Sequence, residues 1–540
     1  MRFLSHFCLL ISLLFLGLLF YLVIHGFPAP DWMTEVISLK NTRKPFQLFL
    51  AFFLLSIVIH PYRETKVKRL SSFLSRPLAI GLLLGFYFLL FLWHEIAEYL
   101  AIQINFIPFG FYDYMLYYFF QGKINYTGFL HGFYHINNAL YLLAPIWSLF
   151  KSPLVLLVAH PFLLVLAGAP LYGLGRHYFK QSAAPLLIVF VYLNFRYLQN
   201  ILHMNFGVED FYPLFFFSLI CFAVKQRWFW YFLFLILSLS IKEDSFFYLS
   251  AFGFLLLWMK GKRLSGFVTI VASLFYFYWI QNYFVVWTGS DIFQAVSKNF
   301  SQYGSTPVEI IGYGLSHVTE IIKEFLGSKE ALRTCVKSFG RLLFIPLFSP
   351  WLFGCLATLF PLFVRGGENF VDLRFQYSAP FIGILFPALI DGLRRLMNRV
   401  QSWGFSREHI LSVILIVLLF INGGKFSLPS WNQEHLKTIR LAQSIPQGEV
   451  VVTHGHLLPY IGYREPNIYF QQALERPENP MHPTYETADY YFIATNVNPY
   501  PMNKDFVEEK LAELKQRPDL KLIHEDGVRW LFERRSPENK

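Results

Sequence analysis

Apolar runs of near-spanning length recur through residues 1–421, and they constrain the fold more than any other feature. They fall at about 4–25, 45–60, 77–100, 152–174, 183–201, 211–224, 228–241, 245–259, 264–287, 377–393 and 408–421. A bilayer core is spanned by a helix of roughly 20 apolar residues. Inside it the backbone must bond to itself, which leaves helices or closed barrels. Runs this long and continuous predict an all-α polytopic membrane bundle. With 15% charged residues, the chain lies well below the roughly 25% of a soluble domain.

Charge in the short connections sets the orientation. Arg63, Lys66, Lys68, Arg69 and Arg76 crowd one connection. Arg176 with Lys180, Lys225 with Arg227, and Lys260 with Lys262 and Arg263 mark three more. Arg394, Arg395, Arg399 and Arg407 mark the last. The positive-inside rule puts such groups in the cytoplasm. All five fall there if the N-terminus is inside and 341–363 crosses twice. That run carries Pro346, Pro350 and Pro361, so it reads as one kinked span or as two short helices folded back. The resulting expectation is about 13 spans in a bacterial inner (cytoplasmic) membrane, with a membrane domain at 1–421 and an external domain at 422–540. Residues 4–25 read as an uncleaved first helix, because the run has spanning length and no A-x-A site follows it.

The net charge of +11 is no nucleic-acid signal. Residues 422–540 hold 14 Lys+Arg against 16 Asp+Glu, leaving 32 and 19 in residues 1–421. The four Cys form no CxxC pair, so neither a disulfide framework nor a zinc site is indicated. The absence of GxSxG, Walker A, GxGxxG and HExxH removes support for hydrolase, nucleotide-driven and zincin readings. Residues 430–540 read as a small α/β domain. GEVVVTHGH and ADYYFIAT are strand-like, NKDFVEEKLAELKQR has helical spacing, and KLIHEDGVRWLFER is a hairpin turning at Asp526-Gly527.

Carboxylates are scarce among the apolar runs, and each beside hydrocarbon is costly unless paired, wet or functional. Asp113 lies among tyrosines in FYDYMLYYF, Glu209 and Asp210 in HMNFGVEDFYP, and Lys242, Glu243 and Asp244 in SIKEDSFF. All fall on the external side of the topology above, which suggests a cleft at the membrane surface. Asp113 can serve as a base or metal ligand, or as a helix N-cap. His203, Glu209 and Asp210 share one loop and can hold a divalent cation such as Mg or Mn, or cap the next helix. The 242–244 turn can close its own ion pair. His131 and His135 are candidate phosphate or sugar contacts. Arg374 and Tyr377 open an apolar run, where Arg374 can clamp a phosphate or anchor the interface.

These motifs, in order, resemble the bacterial membrane family called domain of unknown function 2079. The stretches that carry the likeness are FYDYMLYYFFQGKINY, HINNALYLLAPIWSLF, NFGVEDFYPLFFF, LSIKEDSFFYL, LLFIPLFSPWLF, RFQYSAPFIGILFPALIDGL and IPQGEVVVTHGHLLPYIGYR. The family is grouped with the C-type integral-membrane glycosyltransferases. The resemblance implies an external active site, a polyprenyl-phosphate sugar donor and an acidic residue in the first external loop, which is Asp113 here. A second acidic motif corresponds to Glu209 with Asp210. His135 matches a His before the LLLAP-like run, and Lys242, Glu243 and Asp244 match a Lys-Glu-Asp turn. Where relatives often show a D-F-H-P-E-like run, this chain has Asn205, Phe206, Gly207, Val208 and Glu209, without the central His. An acidic residue often stands before the first-loop His, where Tyr134 stands here.

The expected function is sugar transfer from a polyprenyl-phosphate donor at the external face. Asp113 would be the base, Glu209 and Asp210 would orient the acceptor or a metal, and Lys242 or Arg374 would hold the phosphate. The competing expectation is a non-catalytic transporter or a lipid-binding or assembly scaffold, in which membrane-embedded acids line a path. The partners are membrane lipid and the lipid-linked donor, with no nucleic acid.

Overall fold

A computed structural model describes residues 76–104, 106–120, 136–180, 182–259, 261–284, 300–365, 371, 373, 375–402, 407–422, 429–446, 448–461, 468–469, 485–499 and 503–535, with positions 7, 10, 11, 13, 14, 47 and 49. His131, His135, Arg374 and nearly all of the first two apolar runs lie outside the described residues. The chain is mostly helical, with one small sheet near its C-terminus.

Among the described residues, Pro77–Leu100, Leu154–Tyr178 and Arg263–Tyr283 are long and apolar enough to cross a membrane. Ala184–Leu193 and Arg196–Leu202, bent by 49° at a short break, qualify together as a fourth. Among the described residues, shorter apolar helices include Trp228–Leu239, Ser245–Trp258 and Leu352–Val364.

The Pro77–Leu100 helix shows how such a helix is placed. Leu78, Leu82, Phe86, Leu89 and Trp93 form an exposed apolar stripe, while Tyr87, Phe91, His94, Glu95 and Glu98 are buried. Both sets recur at the three- and four-residue spacing that defines a helix face. The polar face thus turns inward and the apolar face outward, the reverse of a soluble helix and the arrangement hydrocarbon demands.

Close helix contacts rest on small residues. Ser245–Trp258 and Arg263–Trp279 form a hairpin in which a Cβ on Gly253 would stand 2.9 Å from Gly266 O, and one on Gly266 would stand 2.7 Å from Gly253 O. Only glycine allows backbones this near. The 341–363 run is no single kinked span. Phe339 packs on Phe381, the chain then passes Ile345 against Gly392, and Leu352–Arg365 brings Gly354 back beside Ile384. The run therefore folds back, but through a 3-10 turn, Ile345–Phe348, instead of two regular helices. Leu343 and Phe344, both at positive φ, make the break before it.

Basic residues collect at one end of the bundle. Arg394 and Arg395 clamp Asp391 at 2.7 and 2.8 Å, and Arg394 lies 5.3 Å over the Tyr178 ring. Lys225 reaches to within 3.2 Å of where a Gly173 Cβ would stand. The Phe211–Val224 and Ser245–Trp258 helices separate Asp210 and Asp244 from the basic connections at Lys225 and Lys262.

The C-terminal domain is largely as its sequence predicts. Strands β1 (Val451–Thr453), β2 (Ile468–Tyr469), β3 (Tyr490–Ala494), β4 (Leu520–Glu525) and β5 (Arg529–Arg534) form a sheet of order β2-β1-β3-β5-β4. β1 is parallel to β2 and β3, and β5 is antiparallel to β3 and β4. Gly527, at φ +87°, makes the β4–β5 turn. Val507, Leu511 and Leu514 of the Lys504–Gln516 helix pack against one side of the sheet. The Gln433–Ser444 helix, which the sequence reading did not assign, packs on the other with Ile439 and Ala442. This second core includes Ile102 of the connection after Pro77–Leu100. Tyr460 donates to Tyr99 O at 2.6 Å, and His456 Nδ1 lies 2.9 Å from Ile104 O. The domain therefore grips the junction between two helices that carry site residues.

Candidate functional site

The buried polar groups gather where the Pro77–Leu100 helix, the Leu154–Leu166 helix and two tight connections meet. His94 and Glu98, one helical turn apart, face the same way, with Glu95 beside them. His94 Nε2 lies 3.5 Å from Glu98 Oε1. His203, just past the Arg196–Leu202 helix, brings Nδ1 to 3.4 Å from the same oxygen, and its ring meets that of His94 at 4.7 Å. Asn205 stands at φ +57°, a conformation Asn tolerates better than most residues. From there its side-chain amide donates to Glu95 Oε2 at 3.0 Å and to Glu98 Oε2 at 2.7 Å.

The 3-10 turn Val208–Asp210 sends its two carboxylates apart. Asp210 Oδ2 lies 2.5 Å from His160 Nδ1 and accepts from the Gly207 amide at 3.0 Å. His160 Nε2 lies 3.7 Å from Glu95 Oε1, so one chain of contacts runs from Asp210 to Glu98. Burial pushes the Asp210 carboxyl up from its usual range, and the His160 ring opposes this. Glu209 points the other way and accepts from Lys242 Nζ at 2.8 Å. A Cβ at Gly207 would stand 3.0 Å from Glu209 Oε2. Glycine at this position leaves room for the carboxylate.

The 242–244 turn completes the second group. Glu243 accepts from the Ile136 amide at 3.0 Å. Asp244 accepts from Tyr212 at 2.7 Å and Tyr248 at 3.0 Å. Burial works against the Lys242 ammonium, but Glu209, Glu243 and Asp244 outweigh it and hold its pKa well above the ordinary lysine value. Burial also raises the Asp244 carboxyl, against the pull of Lys242.

The predicted residues distribute as follows. Glu209, Lys242, Glu243 and Asp244 share one network, and Asp210 joins the histidine group beside it. Tyr377 lies in the 3-10 turn Gln376–Ser378, which packs against Val208–Asp210. Asp113 sits well inside the Phe106–Phe120 helix, so the N-cap alternative falls. Its Oδ1 accepts from Trp147 Nε1 at 2.9 Å. The preceding residue, Tyr112, packs its ring on Phe206 at 5.6 Å, which holds this helix against the 205–210 loop. Neither Asp210 nor Asp244 makes a side-chain cap to the helix that follows it, and Lys242 pairs across to Glu209.

The His203–Glu209–Asp210 cation site is corrected. The turn sends Asp210 to His160 and Glu209 to Lys242, while His203 joins His94 and Glu98. Among the described residues, the group able to hold a metal ion is His94, Glu98 and His203, whose ligand atoms all lie within 4.8 Å of one another. Sequence reasoning missed His94, Glu95, Glu98 and His160. The first three were legible by the rule that exposed Asp113, since two carboxylates and a His inside LWHEIAEYL are equally costly beside hydrocarbon.

Among curated proteins, no match to this chain is found. The sequence family described as "Predicted membrane protein (DUF2079)" matches residues 104–526. The match takes in Asp113, the 203–210 loop, the 242–244 turn and most of the C-terminal domain, but not His94 or Glu98. The chain belongs to that family of predicted membrane proteins.

Proposed function

We propose that this protein is a C-type integral-membrane glycosyltransferase that moves a sugar from a polyprenyl-phosphate donor to an acceptor at the external face of a bacterial inner membrane. On this reading the chain crosses about 13 times and its C-terminal domain lies outside. The observation that carries the reading is the meeting of two acidic connections, 203–210 and 242–244, in one buried network against the helix that bears Asp113. A charge network this costly beside hydrocarbon marks function more often than structure.

The chemistry balances without a further reactant. The acceptor hydroxyl gives its proton to the Asp113 carboxylate as its oxygen bonds to the anomeric carbon. The bond from that carbon to the phosphate oxygen breaks, and its electron pair leaves with the lipid phosphate. The sugar centre is cation-like in between; Glu209 would orient the acceptor, and Asp210 would hold their shared turn from its other side through His160 and the Gly207 amide. Lys242, charged among its carboxylates, or Arg374 would hold the leaving phosphate. His135, Glu243, Asp244 and Tyr377 would contact sugar or acceptor, and a divalent cation such as Mg or Mn, where bound, would supply positive charge to the phosphate.

The test follows loss of labelled polyprenyl-phosphate sugar in proteoliposomes, across a panel of donor sugars and acceptors. Asp113→Asn keeps an oxygen to accept from Trp147, so the fold should stand. A general base contributes typically 10²–10⁴-fold, and turnover should fall by that much. Near-normal turnover in a folded Asp113→Asn variant removes Asp113 as base. Absence of turnover in the parent across the panel favours a transporter or scaffold.

A further inference from the structure

We propose that His94, Glu98 and His203 bind one divalent transition metal of the zinc or cobalt class, with a coordination position left open to solvent. The inference stands apart from the sugar-transfer reading, because His94 and Glu98 lie outside the family match and neither acts in that reaction. Three observations carry it.

The first is the donor set. Two imidazoles and one carboxylate are borderline ligands that suit zinc and its neighbours better than magnesium or calcium, which take oxygen donors. Two His and one Glu with an open fourth place is a known form of catalytic zinc site.

The second is spacing. Bonds of about 2.1 Å at tetrahedral angles set donor atoms about 3.4 Å apart. Glu98 Oε1 stands 3.5 Å from His94 Nε2 and 3.4 Å from His203 Nδ1. Two edges of the tetrahedron are already present, and the third needs His203 to swing toward His94. His203 can do so, because its side chain is 47% exposed while that of His94 is fully buried. The same exposure opens the fourth position to solvent.

The third is orientation of the carboxylate. Asn205 holds Glu98 Oε2 at 2.7 Å and Glu95 Oε2 at 3.0 Å. This outer hydrogen bond fixes which Glu98 oxygen faces the two rings, as partners behind metal ligands do.

The test uses the full-length protein in detergent, stripped with a chelator and titrated with Co²⁺ and then Zn²⁺. Visible d–d bands of four-coordinate Co²⁺, displaced by Zn²⁺, are expected at about one equivalent by metal analysis. His203→Gln, at a half-exposed position, should fold as the parent does and weaken Co²⁺ binding at least ~100-fold, beyond the 10–100-fold seen for loss of outer partners. Asn205→Ala should weaken it within that smaller range. Unchanged Co²⁺ bands in a His203→Gln variant with parental melting would overturn the site. So would a parent that takes up no Co²⁺ or Zn²⁺, since the three side chains would then be a hydrogen-bonded cluster only. Uptake of Mg²⁺ but not Co²⁺ or Zn²⁺ would overturn the assigned metal class.

Discussion

Lys242→Met tests whether the acidic network is held by one cation. Lys242 Nζ lies 2.8 Å from Glu209 Oε1, with the two side chains 9% and 5% exposed. An exposed ion pair contributes about 0–1 kcal/mol. Removing one partner of a buried pair strands the other charge and costs about 3–5 kcal/mol. Methionine keeps the length and apolar stem of Lys242, so little cavity term is added. Glu243 and Asp244 keep donors of their own in the Ile136 amide and the Tyr212 and Tyr248 hydroxyls. The stranded charge is therefore mainly Glu209. Adding Glu209→Gln to Lys242→Met should recover most of the loss and leave a coupling of at least ~2 kcal/mol in the double-mutant cycle. Unfolding in mixed detergent–dodecyl sulfate micelles provides the measurement. A single-variant cost below ~1 kcal/mol, or additive losses in the double variant, would refute a buried, mutually dependent pair.

Three more outcomes follow from the coordinates. Tyr460→Phe removes the hydroxyl that donates to Tyr99 O at 2.6 Å; it should cost about 1 kcal/mol and speed proteolytic cleavage between the helical and C-terminal domains. Gly253→Leu should cost at least the 1–3 kcal/mol of an overpacked core, read as loss of detergent-stable protein, because a Cβ there meets Gly266 O at 2.9 Å. In the C-terminal domain, burial lowers the His454 pKa to about 4, and the Ala494 amide donates to its Nε2 at 3.2 Å. The folded state therefore keeps this ring neutral, while the unfolded chain takes up a proton near pH 6.5. Stability is full above that pH and is lost as pH falls from about 6.5 through about 4, by on the order of 3 kcal/mol. His454→Gln should flatten this slope in pH-dependent melting, and an unchanged slope would count against it.

Local signals served the sequence reading best. The C-terminal hairpin was legible from Asp526-Gly527 between alternating strands, and the Lys504–Gln516 helix from the spacing of Phe506, Leu511 and Leu514. The acidic connections stood out because Glu209, Asp210, Lys242, Glu243 and Asp244 interrupt apolar runs. Partners across the chain were not legible. Which of two adjacent carboxylates turns to His160 and which to Lys242 depends on a single 3-10 turn, and periodicity carries no trace of it. His94, Glu95 and Glu98 were legible as costly groups inside a span, but their partners were not, since nothing in the sequence assigns a neighbour to the inward face. Helix length also escaped composition. Hydropathy runs smoothly through Asn194, where the chain bends by 49°.

The central claim is that the acidic network and the Asp113 helix form one site for a lipid-phosphate sugar. An electron-microscopy map of the protein in lipid nanodiscs with a non-transferable phosphonate analogue of a polyprenyl-phosphate sugar tests it most directly. The account predicts the phosphonate within hydrogen-bond reach of Lys242 or Arg374, and the sugar between Asp113 and the 203–210 loop. An analogue seated elsewhere on the bundle, with the Lys242–Glu209 network closed and away from it, would contradict the account.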